Sequence, residues 1–373
     1  MTVTSDWYTR FAAEARGESA LYAEWAEGVA VDAPVLDILE RLPRPKRQPP
    51  LIFAVSRLLG APVEGYPVWR EWVLAHADQL VAEALQRTTQ TNEPRRAAAL
   101  VPLLAAIADQ TAGIAAQAAA GTAAGTAARA AAGTDATPLA LVEIGASAGL
   151  CLYPDRYSYL FDGVRLDPAD GPSPVLIECT TLGEPPTPML HVPQTQSTPQ
   201  RQSTLQALPP IAWRAGLDLT PLDVTSADDM HWLETLVWPE QHSRRERIRE
   251  AITIARADPP HLVAGDAVRD LAALVSSAAA AAPDATVVVI TVGVLVYLSV
   301  AERAAFVAAV SELDVRWISL EGPTVLPGVA AQLPPRAVDA PDSAPFVLAL
   351  DGTPVAFCAP YGHVLHWIDH HEN

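Results

Sequence analysis

Ten residues, Leu141 to Leu150 (LVEIGASAGL), concentrate the chemistry of this chain. Leu141 to Ile144 read as a buried strand that ends on an acid, Glu143, and small residues follow at once around Gly145, Ser147 and Gly149. Glycine takes backbone conformations that side chains forbid and lets a ligand approach the main chain. A helix after such a loop would turn free N–H groups toward a negative group. A glutamate beside the loop is a poor neighbour for a pyrophosphate and a good one for a cationic or hydroxyl-rich ligand. That disfavours a dinucleotide and favours an amino-acid-bearing nucleoside such as S-adenosylmethionine. The bland alternative is a tight strand-to-helix turn with no ligand.

Further acids fall at later strand ends. AGLDLTPLDV puts Asp218 at the end of a second strand, where an acid commonly holds ribose hydroxyls. HLVAGDAVRDL puts Asp266 at the end of the next, where it would accept from an adenine amino group. VVVITVGVLVYLSVAERAAFV then gives a strand, a short turn and a helix, with Thr291 and Tyr297 near the strand end. The cofactor-binding set is therefore Glu143, Gly145, Ser147, Gly149, Asp218, Asp266 and Thr291. Tyr297 and Glu321, near predicted strand ends, are placed to orient a substrate or move a proton. Arg156 joins them as a residue able to hold a substrate carboxylate through its planar fork. Asp155 and Tyr157 beside it, with Asn92 and Glu93 from the polar cluster Gln90–Arg95, make the substrate-facing set. Each has a structural alternative: a buried salt bridge for Asp155 and Arg156, helix capping for Asn92 and Glu93.

Residues 145–149 also spell Gly-x-Ser-x-Gly. A serine hydrolase would need that turn between a strand and a helix, then an acid and a histidine downstream. Asp266 or Glu321 with His363 satisfies the order, but this reading leaves Glu143 and the Asp218/Asp266 series without a task. A ligand-binding protein without catalysis is the third alternative. No metal site is expected. His363 and His366 lie in a strand-like stretch where a spacing of three points them to opposite faces. The three cysteines, Cys151, Cys179 and Cys358, have no zinc-like spacing.

The elements that must position these residues follow from pattern. Residues 1–118 read as helical. Ser5 or Asp6 is placed to cap a helix before Trp7, and Trp69, Val73, His76, Leu80, Val81, Ala84 and Leu85 recur at helical spacing behind Pro67. Residues 119–137, rich in Ala, Gly and Thr, read as a linker. From 138 to 373 short apolar runs alternate with helical patterns, which predicts an α/β domain with a mainly parallel sheet. An insert at about 160–210, rich in Pro, Gln, Ser and Thr, reads as a surface loop or cap. Asp351-Gly352 joins two C-terminal strands in a β-hairpin.

The order Glu143-x-Gly145, Asp218, Asp266 and Thr291–Tyr297 resembles that of class I S-adenosylmethionine-dependent methyltransferases. This resemblance implies a Rossmann-like, methyltransferase-type α/β domain after an all-α N-terminal domain. A closer resemblance spans nearly the whole chain. QTNEPRR, EIGASAGL, DRYSY, GLDLTPLDV, WLETLVWPEQHSRRERI, GDAVRDL and WISLEGP together are similar to the bacterial family DUF2332. The chain departs from that family's pattern, which has Asn where Cys151 stands, His near Thr291 and His near Tyr361. Altered chemistry and simple binding both stay open on that account.

The formal net charge of −18 opposes nucleic acid and anionic membrane as partners. The run Arg244, Arg245, Arg247, Arg249 reads as a solvated helix face. A small-molecule substrate is expected, with the apolar helical part either covering the pocket or pairing copies into a homodimer. Cysteine usage, the absence of a signal-like N-terminus and of a bilayer-length apolar run point to a cytoplasmic protein. The excess of Ala, Arg over Lys, and Pro points to a bacterial genome rich in G and C.

Overall fold

Side-chain caps and prolines set where the N-terminal helices begin. The computed structural model describes residues 3–120, 136–183, 185, 207–334 and 345–368. The chain divides into two compact units, Met1–Thr91 with Leu222–Ile252, and Asn92–Pro221 with Thr253–Asn373. In the first, α1 (Val3–Ala15) carries Ser5 inside its first turn rather than at its cap. The Ser5 hydroxyl donates instead to Ala30 O, 2.6 Å away, in α2 (Ala20–Val31). Ser19 caps α2 by accepting from Tyr22 N at 3.1 Å, and Asp32 caps α3 (Ala33–Glu40). Prolines sit in the first turns of α4 (Pro49–Leu58) and α5 (Tyr66–Ala75).

The helical pattern that runs through Trp69 to Leu85 is two helices, not one. His76 leaves helical geometry, stacks on Trp72 at 4.4 Å, and α6 (Ala77–Gln86) starts after it. Tyr8, Tyr22, Trp25, Phe53 and Trp69 are fully buried in this unit and pack ring against ring, Trp25 stacking on Trp69 at 5.1 Å. Beyond α7 (Ala97–Ala120) of the other unit, the chain returns here with α8 (Ala227–Thr235) and the start of α9 (His242–Ala257). On α9 the arginine run is not uniformly solvated. Arg244 is buried and donates to Gln241, while Arg249 pairs with Glu234 at 2.8 Å.

The second unit is built on one sheet. Its strands are β1 (Leu139–Ile144), β2 (Ser158–Phe161), β3 (Val164–Leu166), β4 (Leu176–Leu182), β5 (Ile211–Asp218), β6 (His261–Ala264), β7 (Thr286–Val292), β8 (Arg316–Glu321), β9 (Phe346–Leu350), β10 (Thr353–Cys358) and β11 (Val364–Trp367). They lie in the order β3-β2-β4-β11-β10-β9-β8-β7-β1-β5-β6. The expectation of a mainly parallel sheet gives way to a mixed one. The five strands β6-β5-β1-β7-β8 are all parallel, as is β2-β4-β11, but β8-β9, β9-β10, β10-β11 and β2-β3 are antiparallel. The hairpin at Asp351-Gly352 forms as read, with positive φ at both residues.

All six residues of β1 are buried, because both faces of the central strands are covered. On one face α10 (Leu271–Ala281) and α11 (Val300–Ser311) pack Leu271, Leu274, Phe306 and Val310 against Val142, Ile144, Val289 and Trp317. Two local expectations change. No helix follows β1: the chain makes only a three-residue 3-10 turn, Leu150–Leu152. Residues 158–182, in the stretch read as a loop, form β2, β3 and β4 at the sheet's far end. The linker at 119–137 and the later part of the insert fall mostly outside the described residues. Among the described residues no helix is long and apolar enough to cross a membrane.

Five strand ends, and the loops after them, share one edge of the parallel set. One close approach there is at Gly145, whose φ is +72° and whose absent Cβ would stand 2.4 Å from Val294 Cγ2. Gly145→Ala should therefore lose about 2–4 kcal/mol in chemical denaturation, from left-handed backbone and overpacking together. Adding Val294→Ala should recover the packing part only. An unchanged unfolding midpoint for the single variant would mean that this turn does not lie against the loop after β7.

Candidate functional site

The site begins with a turn of three left-handed residues. Gly145, Ser147 and Gly149 have φ of +72°, +53° and +73°. Gly145 N donates to Leu217 O at 2.7 Å, and Gly149 N to Ala146 O at 2.7 Å. The turn lies directly over β5: a Cβ on Gly216 would stand 2.3 Å from that of Ala146. Asp218, the last residue of β5, closes it. Its Oδ2 accepts from Ser147 N at 2.8 Å and its Oδ1 from Thr220 N at 2.9 Å. Two backbone donors on one carboxylate are a strong fixture.

Behind the turn stand residues from the segment before α7. Asn92 does not cap that helix. It is buried and its Oδ1 accepts from Leu150 N at 2.7 Å, while its Nδ2 lies 3.9 Å from Cys151 Sγ. Cys151 in turn donates to Glu93 O at 3.4 Å. Glu93 is the cap: its Oε1 accepts from Arg95 N at the head of the 3-10 turn Pro94–Arg96. Tyr157 donates to Leu150 O at 2.6 Å. Thus Asn92, Glu93 and Tyr157, read as substrate-facing, gather around the 145–151 loop and hold it.

Asp155 and Arg156 belong to another network. Both Asp155 oxygens are taken by Arg214 at 3.0 Å, and that guanidinium lies 4.6 Å over the Tyr153 ring and donates to Leu152 O. Arg156, half-exposed, pairs with Asp155 and Asp170 at 3.4 Å each. Asp266 turns inward on its own loop, its Oδ1 accepting from Val268 N and Arg269 N. Thr291 is fully buried and accepts from the Trp317 indole at 3.2 Å. Tyr297, by contrast, is 67% exposed on the short turn after β7.

Two carboxyls define the electrostatics. Glu143 on β1 is 2% exposed, and its Oε2 has no hydrogen-bond partner among the described residues. Burial pushes its carboxyl up to about 8, with Asp218 adding to the rise and Arg96 opposing it. Glu321, ending β8, is equally buried. Its Oε1 accepts from Val294 N and Leu295 N at 3.1 Å, and its Oε2 is unpartnered among the described residues. Burial pushes it up to about 7, against those backbone donors and Arg96. Val294 thus links the two strand ends, bonding Glu321 and packing at Gly145.

Arg96 is the residue that sequence reasoning missed. A signal was present. A cation at the start of a helix opposes the helix dipole and so asks for a reason. Spacing alone did not separate it from Arg95. The family model described as "Uncharacterized protein conserved in bacteria (DUF2332)" matches residues 5–128 and 119–367. No curated protein and no solved structure matches the chain.

Between the ordinary glutamate range and about pH 8, the folded chain keeps a proton on Glu143 that the unfolded chain has lost. Stability from this group is therefore full at low pH and falls as pH rises toward 8, by up to about 1.4 kcal/mol per unit. Glu143→Gln cannot ionise. Its stability relative to wild type should improve by on the order of 2–3 kcal/mol from pH 5 to pH 8. A difference that does not change with pH would mean that Glu143 ionises as an exposed glutamate does.

Proposed function

The chain thus belongs to DUF2332, and we propose that it is an S-adenosylmethionine-dependent transferase acting on a small molecule. The observation that carries this reading is Asp218 at the end of β5, clamped to the Gly145–Gly149 turn that ends the neighbouring β1. In order of appearance the five parallel strands run 3-2-1-4-5, the order of a doubly wound sheet, whose ligands bind beyond the carboxyl ends where the strand order reverses. That point lies between β1 and β7, at this turn. Each Asp218 oxygen accepts one backbone bond and keeps a second acceptor site for ribose hydroxyls.

The absence of a helix after the turn removes the dipole that a pyrophosphate would use. A buried carboxyl with an unpartnered oxygen, Glu143, suits a cationic group instead. The cofactor supplies an electrophilic carbon on a positively charged sulfur. The protein's part is to align the acceptor and exclude water, which suffices for an in-line displacement. A base on the protein is optional where the acceptor is already a nucleophile. Displacement onto a separate acceptor and alkylation within one bound molecule use the same arrangement.

The positive φ of Ser147 favours one other reading, a serine hydrolase with a strained nucleophile turn. The 3-10 turn in place of a helix and the burial of Ser147 weigh against it.

Calorimetric titration should give saturable binding of S-adenosylmethionine and S-adenosylhomocysteine but not of NAD or ATP. Asp218→Asn should weaken that binding about tenfold, the loss of one charged hydrogen bond. No binding to folded protein at millimolar ligand sinks the proposal. Turnover of an activated ester that Ser147→Ala abolishes would establish the hydrolase in its place.

A further inference from the structure

Arg95 and Arg96 both precede α7, where a cation is disfavoured by the helix dipole. Arg95 has an evident use, since its Nε and Nη2 donate to Glu178 O at 3.3 and 3.2 Å. Arg96 does not. Its Nε donates to Pro360 O at 3.1 Å, and no hydrogen bond or ion pair engages its Nη1 or Nη2 among the described residues. The side chain is nevertheless well fixed. The turn at 359–363 lies hard against the Arg95–Arg96 backbone, where a Cβ on Gly362 would stand 2.6 Å from Arg95 O and 2.9 Å from Arg96 Cα. Both Nη atoms lie 3.9 Å from the Cβ position of Gly293, the residue that follows β7 at the reversal of strand order. The guanidinium is therefore anchored at one nitrogen and open at two, beside the candidate site.

The same charge is felt by Glu143 and by Glu321. Each of these side chains is 2% exposed and each leaves Oε2 unpartnered among the described residues. A buried oxygen without a partner forfeits its full desolvation cost, whereas the Nη atoms of half-buried Arg96 stay open to solvent and so to a ligand. The ligand that satisfies all of them must carry an anion for the fork and a donor cation a bond or two away. A phosphate would meet the fork but set its charge against two carboxyls. A plain carboxylate leaves both Oε2 atoms bare, and a plain amine leaves both Nη atoms bare.

We infer that Arg96, Glu143 and Glu321 form a receptor for an α-amino-acid group, its carboxylate held by the two Nη atoms of Arg96 and its ammonium by the unpartnered carboxyl oxygens. The inference rests on the cofactor reading only for what is attached to that group, the nucleoside. The zwitterion itself is argued from the three side chains alone. Arg96 comes from the segment before α7, so this recognition uses a part of the chain outside the strand-end motif.

The test is calorimetry on the full chain with four probes: S-adenosylhomocysteine, decarboxylated S-adenosylmethionine, 5′-methylthioadenosine and free L-methionine. Removing the carboxylate or the whole amino-acid group should weaken nucleoside binding by about ten- to a hundredfold, the range of a charged bidentate contact. Arg96→Lys keeps the charge but loses the fork. It should weaken S-adenosylhomocysteine about tenfold and leave methylthioadenosine unchanged. Glu143→Gln should do the same for ligands that carry the amine. If either variant fails to fold, the wild-type probe series decides alone. Equal affinity for S-adenosylhomocysteine and methylthioadenosine overturns the inference and leaves the cofactor reading standing. Binding of L-methionine with no nucleoside binding upholds it and removes the cofactor reading. No binding of any probe overturns both.

Discussion

One carboxylate holds the working edge of the sheet in shape. Asp218 accepts from Ser147 N and Thr220 N, so it ties the end of its own strand to the turn of the neighbouring one. That turn is costly, because Ser147 sits in left-handed backbone, which disfavours any residue with a Cβ by about 1–2 kcal/mol. A charged bond to its N–H offsets a cost of that size. With the turn so fixed, Ala146 settles over Gly216, Val294 settles at Gly145, and Glu143 is sealed beneath. The buried carboxyl is a consequence of the clamp, and its raised ionisation a consequence of that burial.

Four acids at the ends of parallel strands or in the loops after them meet four different fates. Asp218 is used as a clamp and Asp266 as the cap of its own loop. Glu321 is held through one oxygen by the N–H groups after β7, and Glu143 is sealed in with its Oε2 unpartnered among the described residues. Residue type is nearly constant across the set, while solvation and donors differ. Environment of this kind raises the ionisation of Glu143 and Glu321 at one sheet edge, burial being the larger cause in both. Arg96 moderates two of the four without a bond to either, so its position tunes both at once.

Much of the fold was legible where burial on both faces writes a continuous apolar run, as in LALVEI, TVVVITV and RWISLE, and where Asp351-Gly352 dictates a hairpin. The short strands β2 and β3 were not, since four and three residues are too few to show a run or an alternation. The break at His76 has neither Pro nor Gly to announce it. At the site, Glu143, Gly145 and Asp218 could be read because strand-end position is a sequence property. What their oxygens touch is set by register between strands far apart in the chain. Asn92 illustrates this: its type promised a helix cap, and 58 residues later Leu150 N claimed it. Asp155 illustrates the reverse, a promising pocket residue consumed by Arg214.

The place of β11 in the strand order bears on how the second unit is made. It is the last strand in sequence, yet it lies between β10 and β4, pairing Val364 with Thr180 and Ala356 with Trp367. The β2–β4 ribbon therefore has no partner on its inner side until residues 364–367 have been synthesised. During translation β4 waits as an open edge, the kind of surface that invites wrong pairing. Closure across so many residues is slow, because loop entropy must be met before contacts repay it. Glu178 and Thr180, exposed on one face of β4, put polar side chains beside that waiting edge, which suits a strand that must stay soluble until its partner arrives.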